Sequence, residues 1–554
     1  MKTALALALV GSLSPRLQDG GGSTSGAPIE ADQSCYDVRH YTLRLRVDPE
    51  EKRIDGSLAM SARMVAASPV VALDLDPTLE VASVTATLSG EPLAVESERA
   101  GGRIRIRAAE PLPEGAEIAV EVAYGGKPRV AENPPWDGGF TWARTKKGEP
   151  WIATSCQGEG ADLWWPCKDQ PSDEPESMDL FITVPRDLVV ASNGRLVGVE
   201  RSERGWRTHH WHVSTPINNY GVALNIAPYE TISKDYASVA GDTFTVTYWV
   251  LPENVKEGKE LFEDVLRQIA FFEDVFGPYP FRADKYGVAE TPHLGMEHQT
   301  IIAYGNEYRG NPWGKQQGFD FLHHHEMAHE WWANLVTARN WNDFWIHEGF
   351  ATYAQALYVE RLNGPEEYRV EMLGNRRRIR NRGAVAPRGP RSTQEMSFSQ
   401  EGASAPGNDV YYKGSWILHT LRFLVGDEKF FVALRRMAYP DPELEKVTDG
   451  SQCRFSDSEE IRAIAEEHTG QDLGWFFEVY LRQPELPRLV HEVQGKDLHL
   501  SWQTSNDLPF PMPIEVRMGK EVVRVEMPDG KATLPLKTKD HEIDPHHWVL
   551  RAAE

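Results

Sequence analysis

Period-two alternation dominates the first part of the chain. Tyr41, Leu43, Leu45 and Val47 fall on one side, and Thr42, Arg44 and Arg46 on the other, which is the spacing of a strand with one buried face. The same period returns over residues 103–107 and 118–122 and around Trp211, His212 and Val213. Gly, Pro and Asp clusters separate these runs, and together they predict an antiparallel β domain over residues 32–232. After one more strand, over 244–250, the period changes. Leu261, Phe262, Val265, Leu266, Ile269, Phe272 and Phe276 recur at three and four until Gly277-Pro278, predicting an amphipathic helix of about four turns or more. Helical spacing persists to residue 482, with Asp457 and Glu460 placed as a capping box ahead of Ile461 and Ile464. Alternation then resumes over 498–502, 514–516 and 523–525. The pattern is multidomain α+β: leader and linker (1–31), N-terminal antiparallel β domain (32–232), mainly helical domain (233–482) and small C-terminal β-sandwich (483–554).

At about 150 residues per domain, 554 residues suggest three or four domains. The composition, 41% hydrophobic and 25% charged, is that of a globular protein. With 59 basic and 82 acidic side chains the net charge is −23, which argues against nucleic acid as a partner because phosphate binding needs clustered positive charge. No apolar run approaches the ~20 residues of a membrane-spanning helix. Cys35, Cys156, Cys167 and Cys453 contain no C-x-x-C, so a zinc ribbon is excluded and unpaired, mostly buried thiols are expected. Lys2 followed by apolar residues 4–10 has the outline of a short secretory signal, without an A-x-A site and with Pro15 close behind. Residues 18–28 are flexible-linker composition. Export to the periplasm or exterior is the expectation; the alternative is an untidy terminus on a cytoplasmic protein.

The chemistry concentrates in His325-Glu326-Met327-Ala328-His329. On a helix, residues four apart share a face, so both imidazoles reach one metal ion with Glu326 beside them. Eighteen residues separate His329 from Glu348, in Trp345-Ile346-His347-Glu348-Gly349-Phe350-Ala351. Two histidines and a carboxylate leave the fourth position of one tetrahedral zinc to a water, which the ion acidifies. Glu326 is then placed to take that water's proton and pass it to a leaving amine.

H-E-x-x-H-x18-E with W-x-x-E-G-F-A resembles the gluzincin aminopeptidases, the group containing aminopeptidase N and leukotriene hydrolase. Three further stretches carry the resemblance. Leu294-Gly295-Met296-Glu297-His298 is similar to the G-x-M-E-N exopeptidase motif, with His298 where asparagine is usual. Val410-Tyr411-Tyr412-Lys413-Gly414 is similar to the Y-E-K-G segment. Ser155-Cys156-Gln157 and the Pro166-to-Pro171 run P-C-K-D-Q-P resemble the substrate-amine loop and its neighbour. The resemblance covers about residues 35–482. It implies a thermolysin-like catalytic domain, zinc on His325, His329 and Glu348, Glu326 as general base, and Tyr411 as donor to the oxyanion. It also implies that Glu297, helped by Gln157, holds the substrate's α-ammonium, with Gly295 and Met296 along the substrate and His298 beside them. The implied activity is removal of amino-terminal residues from peptides with a free amine.

Other residues are set aside. His323 and His324 point about 200° and 100° from His325 and read as structural or solvated. Glu330 reads as a surface or outer contact, His347 as a neighbour of the ligands, and Tyr412 as the lesser candidate beside Tyr411. Arg376-Arg377-Arg378-Ile379-Arg380 reads as a solvated helix face, or as arginines that meet a substrate carboxylate. Residues 483–554 have period two where the family carries a helical solenoid, which implies a more open cleft and removes the support for epoxide hydrolysis. A thermolysin-like endopeptidase, an epoxide hydrolase and a non-catalytic scaffold are the alternatives; oligomeric state is not legible.

Overall fold

Alternation buries Tyr41, Leu43, Leu45 and Val47 in strand Tyr36–Asp48, near the centre of the largest sheet in the computed structural model, which describes residues 25–26, 28–399, 404–538 and 540–553. From one edge that sheet runs Arg195–Arg201, Trp206–Val213, Ser177–Pro185, Tyr36–Asp48, Arg53–Met64, Glu117–Gly126, Leu79–Leu88 and Glu91–Leu93. All neighbours are antiparallel except Tyr36–Asp48 and Ser177–Pro185, which are parallel, with His40 opposite Ser177. That pair departs from the expected antiparallel domain, because side-chain period reports the buried face and is blind to a neighbour's direction. A four-stranded sheet, Val189–Ser192, Leu224–Ala227, Pro150–Ser155 and Gly139–Arg144, meets the second region where the Trp151 indole donates to the Glu290 carbonyl at 3.1 Å.

The second region starts with a five-stranded sheet ordered Glu230–Ala237, Thr243–Val250, Tyr286–Glu290, Ile302–Tyr304 and Gly295–Met296. The expected join at 232/233 therefore lies inside a strand. The helices after it include α1 Val255–Phe276, where the three-and-four spacing placed one, α2 Phe321–Ala328, α3 Trp345–Asn363, α4 Pro365–Arg376 and α5 Asp409–Val425. Gly277 ends α1 at φ 101°, its N–H returning to the Glu273 carbonyl at 3.2 Å. Asp457 caps helix Ser458–Thr469 through the N–H groups of Glu459 and Glu460, but the return half of the expected box is absent. The Glu460 carboxylate pairs with Arg454 instead, at 2.8 Å.

Two three-stranded sheets make the C-terminal unit, Arg488–Gln494, Asp497–Gln503, Lys531–Pro535 and Glu521–Val525, Ile514–Met518, His541–Ile543. Leu498, Leu500, Met512, Ile514 and Val516 are buried between them. The tail then returns to α5, where Trp548 stacks on His419 at 4.7 Å and Thr420 bonds the Trp548 carbonyl. The four cysteines are unpaired. Among the described residues no helix is long and apolar enough to cross a membrane. The leader-like residues 4–10 lie outside the described residues.

Candidate metal centre and amine pocket

Helix α2 opens on Asp320, whose carboxylate accepts the His323 N–H at 3.0 Å. It closes after two turns at His329. Trp332 leaves helical geometry, at φ −112° and ψ 63°, and its carbonyl lies 3.0 Å from Nδ1 of His329. A carbonyl only accepts, so Nδ1 carries the proton and the Nε2 lone pair is free for a metal. Glu348, in the first turn of α3, brings its Oε2 3.3 Å from His325 Nε2 and 3.6 Å from His329 Nε2; the two imidazole nitrogens are 3.2 Å apart. Tetrahedral zinc with bonds of about 2.0–2.1 Å holds its ligands roughly 3.3–3.4 Å apart. The donor set and its spacing fit zinc.

Glu297, Glu326 and His329 offer atoms within 4.8 Å of one another. Burial, then Glu297 and Glu348, push the Glu326 carboxyl well above its usual range, and burial and Glu348 push Glu297 up to about 8. Carboxylates crowded in this way ionise at neutral pH only with cations among them, and a divalent metal and a substrate ammonium are such cations. Strand Gly295–Met296 is the sheet's edge, paired on one side to Ile302–Tyr304. A Cβ on Gly295 would come within 2.5 Å of the Glu326 carboxylate and 2.8 Å of Leu322, so only glycine lets the strand lie this close over α2.

Glu297 is held from the N-terminal domain. Gln157 donates to its Oε1, and the Tyr220 hydroxyl donates to the same oxygen at 3.2 Å. Asn334 fixes the Glu297 carbonyl at 3.1 Å. Tyr220 is absent from the sequence reading: a single tyrosine in Asn218-Asn219-Tyr220-Gly221 carries no spacing that would single it out. Met296 is buried, and His298 is wholly buried with its ring kept neutral, at about 3, by burial and nearby His293. His298 has no exposed surface to offer a substrate.

The Tyr411 ring lies 6.1 Å from that of His325, nearly parallel to it. Tyr412 instead meets Arg378 outside the site, hydroxyl to Nη1 at 3.1 Å. Lys413 is buried, donating to the Gln483 and Pro484 carbonyls at 3.0 and 2.9 Å, while Asp409 accepts the N–H groups of Arg380 and Asn381.

The residues set aside are mostly interior. His323 is bonded to Tyr286 at 2.9 Å and Gln268 at 2.7 Å, and His324 sits among Phe272, Phe319 and Tyr358; neither is solvated. Glu330 is buried, not at the surface, and accepts the Thr300 N–H at 2.8 Å. His347 accepts the Ala338 N–H at 2.9 Å. The arginine run is no helix face, since α4 ends at Arg376, whose guanidinium is drawn inward to the Arg551 carbonyl and over Trp416.

Two family patterns match the chain. The pattern of the Peptidase M1 N-terminal domain matches residues 38–220 and that of the Peptidase family M1 domain residues 261–439. Human endoplasmic reticulum aminopeptidase 1 is 28% identical over 281 residues, 49% of this chain and 29% of the relative. Aminopeptidase M1-B of Oryza sativa subsp. japonica is 24% identical over 84% of this chain and 52% of its own length. Leukotriene A-4 hydrolase of Xenopus laevis is 22% identical over 73% of this chain and 65% of its own. The chain spans about half or less of the first of these curated relatives. An M1 zinc metallopeptidase from Deinococcus radiodurans, solved as a mutant bound to a Tyr-Ser-Ala substrate, shares the fold with a TM-score of 0.65 at 21% identity, covering 85% of this chain and 98% of that one.

Proposed function

The chain belongs to peptidase family M1, and from that premise we propose that it is a zinc-dependent aminopeptidase acting on peptides with a free amino terminus. One observation carries the reading: a buried carboxylate, Glu297, within 4.8 Å of both a metal-donor histidine and a second free carboxylate. A fixed negative charge at that spot recognises an α-ammonium, which an internal peptide nitrogen lacks. Zinc bound by His325, His329 and Glu348 would polarise the scissile carbonyl and lower the pKa of a water. Glu326 takes the proton from the attacking water and delivers it to the departing amine, and the pressure that burial exerts toward its protonated form suits the second half of that task. Tyr411 donates its hydroxyl to the carbonyl oxygen as charge develops there. Gln157 and Tyr220 orient Glu297, and the edge strand Gly295–Met296 offers unpaired backbone groups to an extended peptide.

The test is a panel of aminoacyl arylamides and their N-acetylated counterparts, with and without chelator, for the native chain and Glu297→Ala. The expected result is chelator-sensitive cleavage confined to free amines, with that preference weakened in the variant. Activity that survives chelation removes zinc from the proposal. Equal cleavage of blocked and free substrates would point to the endopeptidase alternative.

A further inference from the structure

The amine pocket is assembled from both domains, and one turn joins its halves. Gln157 and Tyr220 come from the N-terminal domain, and Glu297 directly follows Gly295–Met296, the edge strand of the second region's sheet. Between them lies the turn at Asn193 and Gly194, which follows strand Val189–Ser192.

Asn193 is wholly buried, and its side chain is fully used. Its Nδ2 donates to the Gly221 carbonyl, one residue past Tyr220, and to the Gln299 carbonyl, two residues past Glu297, both at 2.7 Å. Its Oδ1 accepts the Ala223 N–H at 2.8 Å. One amide thus ties the Tyr220 segment directly to the Glu297 segment. The residues on either side repeat the bridge. Gly194 donates its N–H to Thr300 Oγ1 at 2.8 Å, and Lys285 Nζ joins the Ser192 carbonyl at 2.9 Å to the Thr300 carbonyl at 2.8 Å. Gly194 cannot be replaced cheaply: its φ is 71° and a Cβ would fall 2.0 Å from the His212 carbonyl.

Thr300 is the strained end of this bridge. A β-branched residue at φ 61° is costly. It persists because its N–H, hydroxyl and carbonyl are all engaged, by Glu330, Gly194 and Lys285. The chain after Glu297 is therefore pinned at each polar atom of Thr300 to groups outside its own segment, two of them on the N-terminal turn or bridged to it.

We propose that this turn is a positioning element for amino-terminal recognition, with Asn193 as the positioning residue that sets the separation of the Tyr220 hydroxyl and the Glu297 carboxylate. The inference rests on the aminopeptidase reading. Asn193 touches no substrate. It acts by holding two groups that do, and a displacement of about 1 Å in such groups is enough for large losses.

The test measures inhibition constants of L-leucinamide and of its desamino analogue, 4-methylpentanamide, for the native chain, Asn193→Ala and Lys285→Met. The gap between the two inhibitors isolates the ammonium's contribution. A purely structural role would lower the active fraction and leave the inhibition constants of what remains unchanged. The expected result is a gap at least about tenfold narrower in Asn193→Ala, arising from weaker leucinamide binding with the desamino constant unchanged, and a smaller change of the same sign in Lys285→Met. Asn193→Ala strips three partners at once; if it does not fold, Lys285→Met carries the test. A native gap that persists in the folded variants overturns the positioning role. The absence of a gap in the native chain overturns the amine-binding reading itself, and the inference with it.

Discussion

Gly349 and Gly414 meet backbone to backbone: a Cβ built on Gly349 would lie 3.0 Å from the Gly414 Cα, and one built on Gly414 would lie 2.9 Å from the Gly349 Cα. The contact joins α3 to α5 one residue from Glu348 and three from Tyr411, so two glycines set the distance between the carboxylate proposed to bind zinc and the Tyr411 hydroxyl that faces it. Gly414→Ala is expected to push the helices apart, lowering kcat by about 10²-fold with bound zinc retained. Steady-state kinetics with metal analysis checks this, and full activity would show that the contact tolerates a methyl group.

Gly295→Ala tests the closeness of strand and helix. The added methyl lies 2.5 Å from a Glu326 oxygen, so the carboxylate proposed as general base must move while His325, His329 and Glu348 are untouched. We expect kcat to drop by about 10²-fold or more with one zinc still bound per chain. Loss of zinc in this variant would mean the strand supports the metal rather than the base.

Removal of the metal should cost stability as well as activity. A ligand that binds only the folded state stabilises it by about 2.7 kcal/mol at a hundred times its Kd. Chelation, or His325→Ala, is thus expected to lower the thermal midpoint and abolish zinc binding, as read by calorimetry and elemental analysis. A midpoint indifferent to chelator would contradict a zinc site within the fold.

Tyr411 and Tyr412 are neighbours with opposite surroundings. Tyr411→Phe should reduce kcat by about 10²–10³-fold, whereas Tyr412→Phe, which loses only an exposed bond to Arg378, should change it less than about twofold. Equal losses in the two would reassign the hydroxyl.

Buried histidines predict acid sensitivity. Burial lowers His209 and His293 to about 4 and His419 to about 3, below the unfolded value of about 6.5. Between those limits the unfolded chain binds protons that the folded chain refuses. The stability present above pH ~6.5 is therefore lost as pH falls, by about 1.4 kcal/mol per pH unit for each such group. Because buried carboxyls such as Glu297, pushed up to about 8, act in the opposite sense, the rings themselves are the readout: the imidazole NMR shifts of His209, His293 and His419 should not titrate near their unfolded value of about 6.5, and a midpoint there would mean that these rings are accessible.

Local spacing carried a large share of this protein. Alternation in residues 41–47 and the three-and-four spacing of 261–276 report burial, and burial is set by the solvent's dislike of apolar surface whatever the partner. His325, Glu326 and His329 lie within one helical turn of each other, so their shared face follows from the pitch of a helix alone. Relations between segments distant in the chain were decided only by the tertiary structure. The parallel pairing of Tyr36–Asp48 with Ser177–Pro185, the inward turn of Arg376, the burial of His298, Tyr220's bond to Glu297 and the Gly349–Gly414 contact depend on which surfaces meet once the core closes. A single residue's identity does not encode its distant neighbour. The sequence determined which groups could do the chemistry; packing decided which of them share the cleft.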